Sequence, residues 1–185
     1  MRVSPHFLLT SASAPSVVAV AITREQPGPG QESVWDYPRP PRAEPDHRRA
    51  VVTHAGTVVI DTADLVRVLE TSHPPTFYLP RTAFPSGVLR PAQRRTVCEW
   101  KGTARYVDVV LPGTTLEAIG WWYPEGDVSA TYPELADRVA LYPAPFDEIT
   151  LDGERVVPQP GGFYGGWITH DVVGPFKGGP GSWGW

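Results

Sequence analysis

The chain has 185 residues, 41% of them hydrophobic and 19% charged, with 16 basic against 20 acidic side chains and a formal net charge of -4. That length supports one core-bearing domain, and the acidic balance argues against a general nucleic-acid surface, which depends on clustered Lys and Arg. The one cysteine, Cys98, excludes an intrachain disulfide and a zinc site of several thiolates, and it points to a reducing, cytoplasmic setting.

The first 22 residues combine Arg2, an uncharged run from Phe7 to Ile22 and the small triplet Ala19-Val20-Ala21, as secretion signals do, but Pro15 and several hydroxyl residues interrupt the run. Residues 1–31 are therefore expected to be a disordered or over-called extension, with secretion as the alternative, and residues 32–185 to form the domain. No later run approaches the ~18 apolar residues of a membrane span. From Thr23 to His47, six prolines among polar residues read as an extended arm, pinned to the body by Trp35 and Tyr37.

From Ala50 the pattern turns to β. AVVTHAGTVVIDT alternates branched apolar residues around Ala55-Gly56; YVDVVLPGTTLEAIGWW turns at Pro112-Gly113; EITLDGERVV turns at Asp152-Gly153, where glycine supplies the positive φ of a two-residue turn. Three such hairpins predict a mainly antiparallel sheet. Two short helices are expected beside it. One is ADLVRVLE, with Leu65, Val66 and Leu69 on one face, and the other opens at Thr131-Tyr132-Pro133-Glu134, which resembles a capping box. The last segment carries nine glycines and reads as a tail that wraps the body through Phe163, Tyr164, Trp167 and the terminal tryptophans.

Chemistry concentrates in three stretches. In ETSHPPTFYLP, Pro74 and Pro75 hold the preceding backbone extended and so fix His73. An imidazole titrates near neutrality, and Glu70 is placed to orient it; the plainer alternative is that Glu70 and Ser72 cap helix ends while His73 fills a polar corner. In TVCEWKGTARY, Lys101 is one of only two lysines, at 101 and 177, in a chain that otherwise uses arginine. A site needing a compact, titratable ammonium calls for lysine, while a strand-end charge before a glycine is the competing account. Cys98 fits a small buried hydrophobe better than a nucleophile. Trp121-Trp122-Tyr123 ends a strand, so that Trp121 and Tyr123 share one face and Trp122 takes the other. The first face is placed to join Trp100, Tyr78 and Tyr106 in an aromatic cup, although packing alone also accounts for such clusters.

Signatures of common chemistries are missing. The five histidines, at 6, 47, 54, 73 and 170, show no metal-ligand spacing; GGFYGGWIT lacks the lysine of a phosphate loop; no nucleophile elbow or zinc-protease helix occurs. Neither cofactor nor metal is expected.

Taken together, ESVWDYPRPP, ETSHPPTFYLP, CEWKG, GFYGGWIT and GPFKGGPG resemble a bacterial member of domain of unknown function family 427, over residues 32–185. The resemblance implies a small antiparallel β-tent-like domain, akin to methionine sulfoxide reductase B and the ligand-binding domain of cereblon. It implies no settled activity, and the nucleotidyltransferase label sometimes attached to the family finds no acidic pair here. Cys98 alone builds no four-cysteine zinc site and has no resolving partner for reductase chemistry. The fold class thus expected is mainly β, with two or three short helices, a proline-rich arm and a glycine-rich tail.

The leading functional expectation is a module for a small-molecule ligand, its walls Trp100, Trp121, Tyr78 and Tyr106 and its polar anchors Glu70, His73 and Lys101. One alternative is an enzyme with His73 as acid or base, Glu70 orienting it and Lys101 stabilising developing negative charge. The other is a protein-interaction module using arm and tail.

Overall fold

The computed structural model describes residues 22–182 and 185, so the expectations placed on residues 1–21 and on Trp183 lie outside it. The chain runs β1 (Glu32–Ser33), β2 (Arg42–Asp46), β3 (Ala50–His54), β4 (Thr57–Thr62), β5 (Leu65–Leu69), β6 (Thr76–Pro80), β7 (Leu89–Cys98) and β8 (Gly102–Leu111). It continues through β9 (Thr114–Trp122), β10 (Arg138–Leu141), β11 (Glu148–Leu151), β12 (Glu154–Arg155), β13 (Val157–Pro158), β14 (Trp167–Ile168) and β15 (Val172–Val173). A seven-stranded sheet ordered β2-β5-β6-β10-β9-β8-β7 and a four-stranded sheet ordered β12-β11-β3-β4 form the body.

All three predicted hairpins are present: β3 turns into β4, β8 into β9 and β11 into β12. Two of the turns need left-handed backbone at both central positions, which Ala55 and Gly56 adopt at φ 50° and 72°, and Asp152 and Gly153 at 49° and 82°. A fourth hairpin, β7 into β8, crosses Glu99, Trp100 and Lys101 between the partners Cys98 and Gly102.

The expected short helices are absent. ADLVRVLE contributes β5, an interior strand paired with β2 and β6. Leu65, Val66, Val68 and Leu69 are all buried, so both faces are apolar and the period-two signal that marks a half-exposed strand is lost. Arg67, between them, reaches the Glu32 and Glu44 carboxylates at 3.1 Å and 2.6 Å. The second expected helix shrinks to one 3-10 turn, Pro133–Leu135, beside a similar turn at Arg81–Ala83. No helix among the described residues is long and apolar enough to cross a membrane.

The arm is also corrected in part, because Arg42–Asp46 is the edge strand β2. Tyr37 is buried and donates to the Glu32 carboxylate, while Trp35 Nε1 donates to the Pro175 carbonyl. Residues 22–31 run alongside the tail, where the Glu25 N–H donates to the Gly174 carbonyl.

The seven-stranded sheet has two dissimilar faces. One packs Phe77, Leu79, Val107, Val139 and Leu141 against Val52, Val59 and Ile60 of the smaller sheet, with fully buried Trp167 completing this core. The other carries Tyr78, Tyr123, Tyr132 and Ala104, with Trp100 and Trp121 packed against them. Its edges are β2, which contains Pro45, and β7, whose register shifts between Pro91 and Arg95 and which exposes Arg90, Arg94 and Arg95.

Candidate functional site

On the aromatic face, strand register lines up one row of side chains. Val66 pairs with Tyr78, Tyr78 with Ala140, Ala140 with Trp121 and Trp121 with Tyr106. Partners in register project to the same face of a sheet, so Tyr78, Trp121 and Tyr106 form a floor. The Ala140 methyl leaves room for Tyr78 and Trp121 to meet edge to face, with centroids 6.3 Å apart. Trp121 Nε1 donates to the Tyr78 hydroxyl at 3.2 Å. As expected, Trp121 and Tyr123 share this face while Trp122 packs on the other.

The walls come from two turns. The turn between β7 and β8 carries Trp100 and Lys101 and is fixed at Gly102, which sits at φ 105° where an added Cβ would lie 2.1 Å from the Asp127 carbonyl oxygen. A side chain there is excluded both by conformation and by contact. The Ser129 N–H, in turn, donates to the Lys101 carbonyl.

The second turn follows β5 through Glu70, Thr71, Ser72 and His73. Ser72 takes φ 69°, its N–H donates to Val34, and its carbonyl accepts from the Lys177 N–H. ETSHPP is therefore a stiff turn, and the tail is hydrogen-bonded directly to it. Gly166 lies so close to Pro74 that a Cβ would meet the ring at 2.6 Å, and a Cβ at Gly165 would lie 2.4 Å from the Trp121 indole edge.

Between these parts lies a cavity of about 450 Å³. Glu70, His73, Tyr78, Trp100, Lys101, Tyr106 and Trp121, the seven residues singled out in the sequence, all line it. So do Tyr123, expected on this face, and residues that sequence reasoning passed over or read otherwise: Arg39, Cys98, Tyr142, Phe163 and Lys177. Lys177 carried the same signal as Lys101, being the other lysine of the chain; Tyr142 carried none. Cys98 is half-buried at the cavity wall.

The charges are unevenly matched. Lys101 Nζ stands 3.6 Å from Glu70 Oε2, both side chains largely shielded at 12% and 18% exposure. Burial acts to lower the Lys101 pKa, but Tyr78, Cys98 and Glu70 around it outweigh that, and the ammonium is held above its usual value. Arg39 reaches Glu70 at 3.9 Å and the exposed Glu99 at 3.8 Å. Lys177 is buried and its Nζ donates to the carboxyl oxygen of Trp185, the last residue of the chain. Its pKa is lowered by burial and by Arg39. The phenols of Tyr78, Tyr123 and Tyr142 are all pushed up by burial, so they are neutral at neutral pH. Trp100 Nε1 is buried without an acceptor.

His73 is buried, and its Nδ1 lies 3.0 Å from the Thr71 carbonyl oxygen, which only a protonated nitrogen can approach favourably. In the neutral ring this puts the lone pair on Nε2. Tyr164 meets the ring edge-on at 4.6 Å. Burial lowers the His73 pKa, with Lys177 and Lys101 adding to the effect and Glu70 and the Thr71 hydrogen bond opposing it.

The sign of the consequence follows. Below the ordinary value of 6.5 the unfolded chain takes up a proton that the folded chain resists, so this group's stabilisation is present above pH 6.5 and is lost as pH falls towards the folded pKa. Thermal unfolding at neutral pH and at pH values below 6.5 should show a steeper loss for the wild type than for His73→Gln. His170, exposed and raised by Glu154, acts in the opposite sense but is common to both proteins. Equal slopes would show that the His73 imidazole titrates normally in the fold.

Among the described residues no group of three or more His, Cys, Asp and Glu is placed to hold a metal ion. The sequence profile of the family described as Domain of unknown function (DUF427) matches residues 42–152, and the chain belongs to that family. No curated protein matches it.

Proposed function

We propose that this DUF427 protein is a small-molecule-binding domain whose ligand occupies the cavity on the aromatic face of the seven-stranded sheet. The observation that carries this reading is convergence: a floor set by strand register, two stiff turns and the tail enclose one space in which aromatic walls surround a few buried polar groups. Binding sites for small organic molecules have this composition, and the volume of about 450 Å³ falls within their usual range of roughly 300–1,000 Å³.

A screen of the purified protein against a metabolite library by thermal shift tests it. A ligand present at about a hundred times its Kd should stabilise the fold by about 2.7 kcal/mol, raising Tm by several degrees in the wild type and by much less in folded Glu70→Ala and Lys101→Ala variants. Silence across the library at millimolar concentrations would remove the reading.

A second reading, an acid-base enzyme in the same cavity, is favoured by His73, whose hydrogen bond to Thr71 directs the lone pair to Nε2. With a confirmed substrate, this reading requires His73→Ala to lose turnover by about 100-fold or more while the variant still binds; unchanged turnover would discard it.

A further inference from the structure

Every cation at the cavity has a partner: Lys101 has Glu70, Arg39 has Glu70 and Glu99, and Lys177 has the carboxyl oxygen of Trp185. The site therefore calls for no ion, and its unmet demand lies in hydroxyl protons instead. Two hydroxyl clusters line the space. In one, the hydroxyls of Thr96, Tyr106 and Tyr142 follow one another at 3.4 Å and 3.5 Å, and that of Tyr142 donates to the Phe163 carbonyl. A chain that ends on a carbonyl gives every proton along it an acceptor.

The other cluster does not close. Trp121 Nε1 donates to the Tyr78 hydroxyl at 3.2 Å, and that hydroxyl also meets the one on Tyr123. Three protons enter and two hydrogen bonds are made, so whichever phenol donates to the other, one hydroxyl proton is left over. Of the other polar groups that act on the pair, Lys101 is a donor only, and the Cys98 thiol is a weak acceptor. Tyr78 and Tyr123 are both buried and both line the cavity, where a donor without an acceptor is costly.

The kind of acceptor follows from the same count. A water or alcohol oxygen placed beside the phenols and Lys101 brings a proton of its own, which then needs an acceptor among groups that are mostly donors. A carbonyl oxygen has two lone pairs and no proton. On the premise that the cavity is a ligand site, we propose that its ligand is an uncharged planar carbonyl compound, an aryl ketone or conjugated enone, whose oxygen accepts from the Tyr78–Tyr123 hydroxyl pair. Its flat frame lies against the aromatic walls.

The test uses the full chain and three matched sets of probes, each a ketone, the alcohol of the same frame and a carboxylate on the same ring. The sets are acetophenone, 1-phenylethanol and benzoate; 2-acetonaphthone, 1-(2-naphthyl)ethanol and 2-naphthoate; and 1-indanone, 1-indanol and indane-1-carboxylate. Binding is followed by calorimetry and by saturation-transfer NMR, and the carbonyl of the bound ketone by its 13C resonance.

In at least one set the ketone should bind about tenfold or more tightly than both the alcohol and the carboxylate. Its carbonyl carbon should move downfield of its position in an apolar solvent, as hydrogen bonding to the oxygen requires. Tyr78→Phe/Tyr123→Phe should bring the ketone close to the alcohol and reverse that shift. Equal affinity of ketone and alcohol in every set, tightest binding by the carboxylates, or a bound carbonyl that keeps its apolar-solvent position in the wild type would overturn the carbonyl assignment while leaving a ligand site in place. So would a ketone preference that survives in the double variant. No binding by any of the nine would also overturn it, and the library screen then decides separately whether the cavity binds anything.

Discussion

Replacing Trp167 with alanine is expected to lower stability by about 3–5 kcal/mol, the range for truncating a large buried aromatic residue. Trp167 is fully buried, its ring stands 5.1 Å from that of Phe77, and its Nε1 donates to the Leu141 carbonyl at 3.2 Å. Truncation opens a cavity in the main core and leaves that carbonyl without its donor. A domain of this kind has about 5–15 kcal/mol in total, so the loss is a large share of it. Urea unfolding would measure the shift, with Trp167→Phe as the milder control. Trp167 lies beyond residues 42–152, the part matched to the family. A loss under about 1 kcal/mol would mean that the tail merely covers a core complete without it, below the range for such truncations.

The second large effect is expected at Glu70→Gln, at about 2 kcal/mol. The change keeps the shape but withdraws the carboxylate from Lys101, leaving a shielded ammonium beside a neutral amide. Breaking a shielded pair from one side costs more than removing both charges, so the double variant Glu70→Gln/Lys101→Met should recover most of the loss. The raised Lys101 pKa adds a pH signature. Stability from this group is complete below the ordinary lysine value of 10.5 and is lost as pH rises through the higher folded value. The gap between wild type and Glu70→Gln should therefore hold at neutral pH and narrow in strong alkali. If the double variant were no better than the single one, the two side chains would not be acting as a pair.

How much of this was legible in the sequence depended on whether a signal was local. Ala55-Gly56 and Asp152-Gly153 announced their hairpins because a turn with left-handed backbone leaves a compositional mark within two residues. ADLVRVLE misled because Leu65, Val66 and Leu69 satisfy helical spacing and also fit a strand buried on both sides; only pairing with β2 and β6 decides between them. At the capping-box pattern around Pro133, the chain leaves the turn at Asp137 with φ 54°, before a second helical turn can form.

The cavity residues were legible by type, as rare lysine, proline-locked histidine and clustered tryptophan. Tyr142 was not, because nothing near it in the chain distinguishes it from an ordinary packing residue, and Arg39, within ESVWDYPRPP, was read as part of the arm. Their place at the cavity comes from long-range hydrogen bonds, of the Thr71 N–H to the Pro38 carbonyl beside Arg39 and of the Tyr142 N–H to the Ile119 carbonyl.

The two edges of the large sheet bear on how the protein behaves in company. An unprotected edge strand is a template on which another chain can add, and sheets that end in one tend to grow into fibrils. Here Pro45 and Pro91 each withhold an N–H from the outermost strands. The register break after Pro91 interrupts the second edge, and the exposed Arg94 and Arg95 give it like charges that repel an identical neighbour. Both ends of the broad, aromatic-rich sheet thus carry features that disfavour the edge-to-edge addition of another strand.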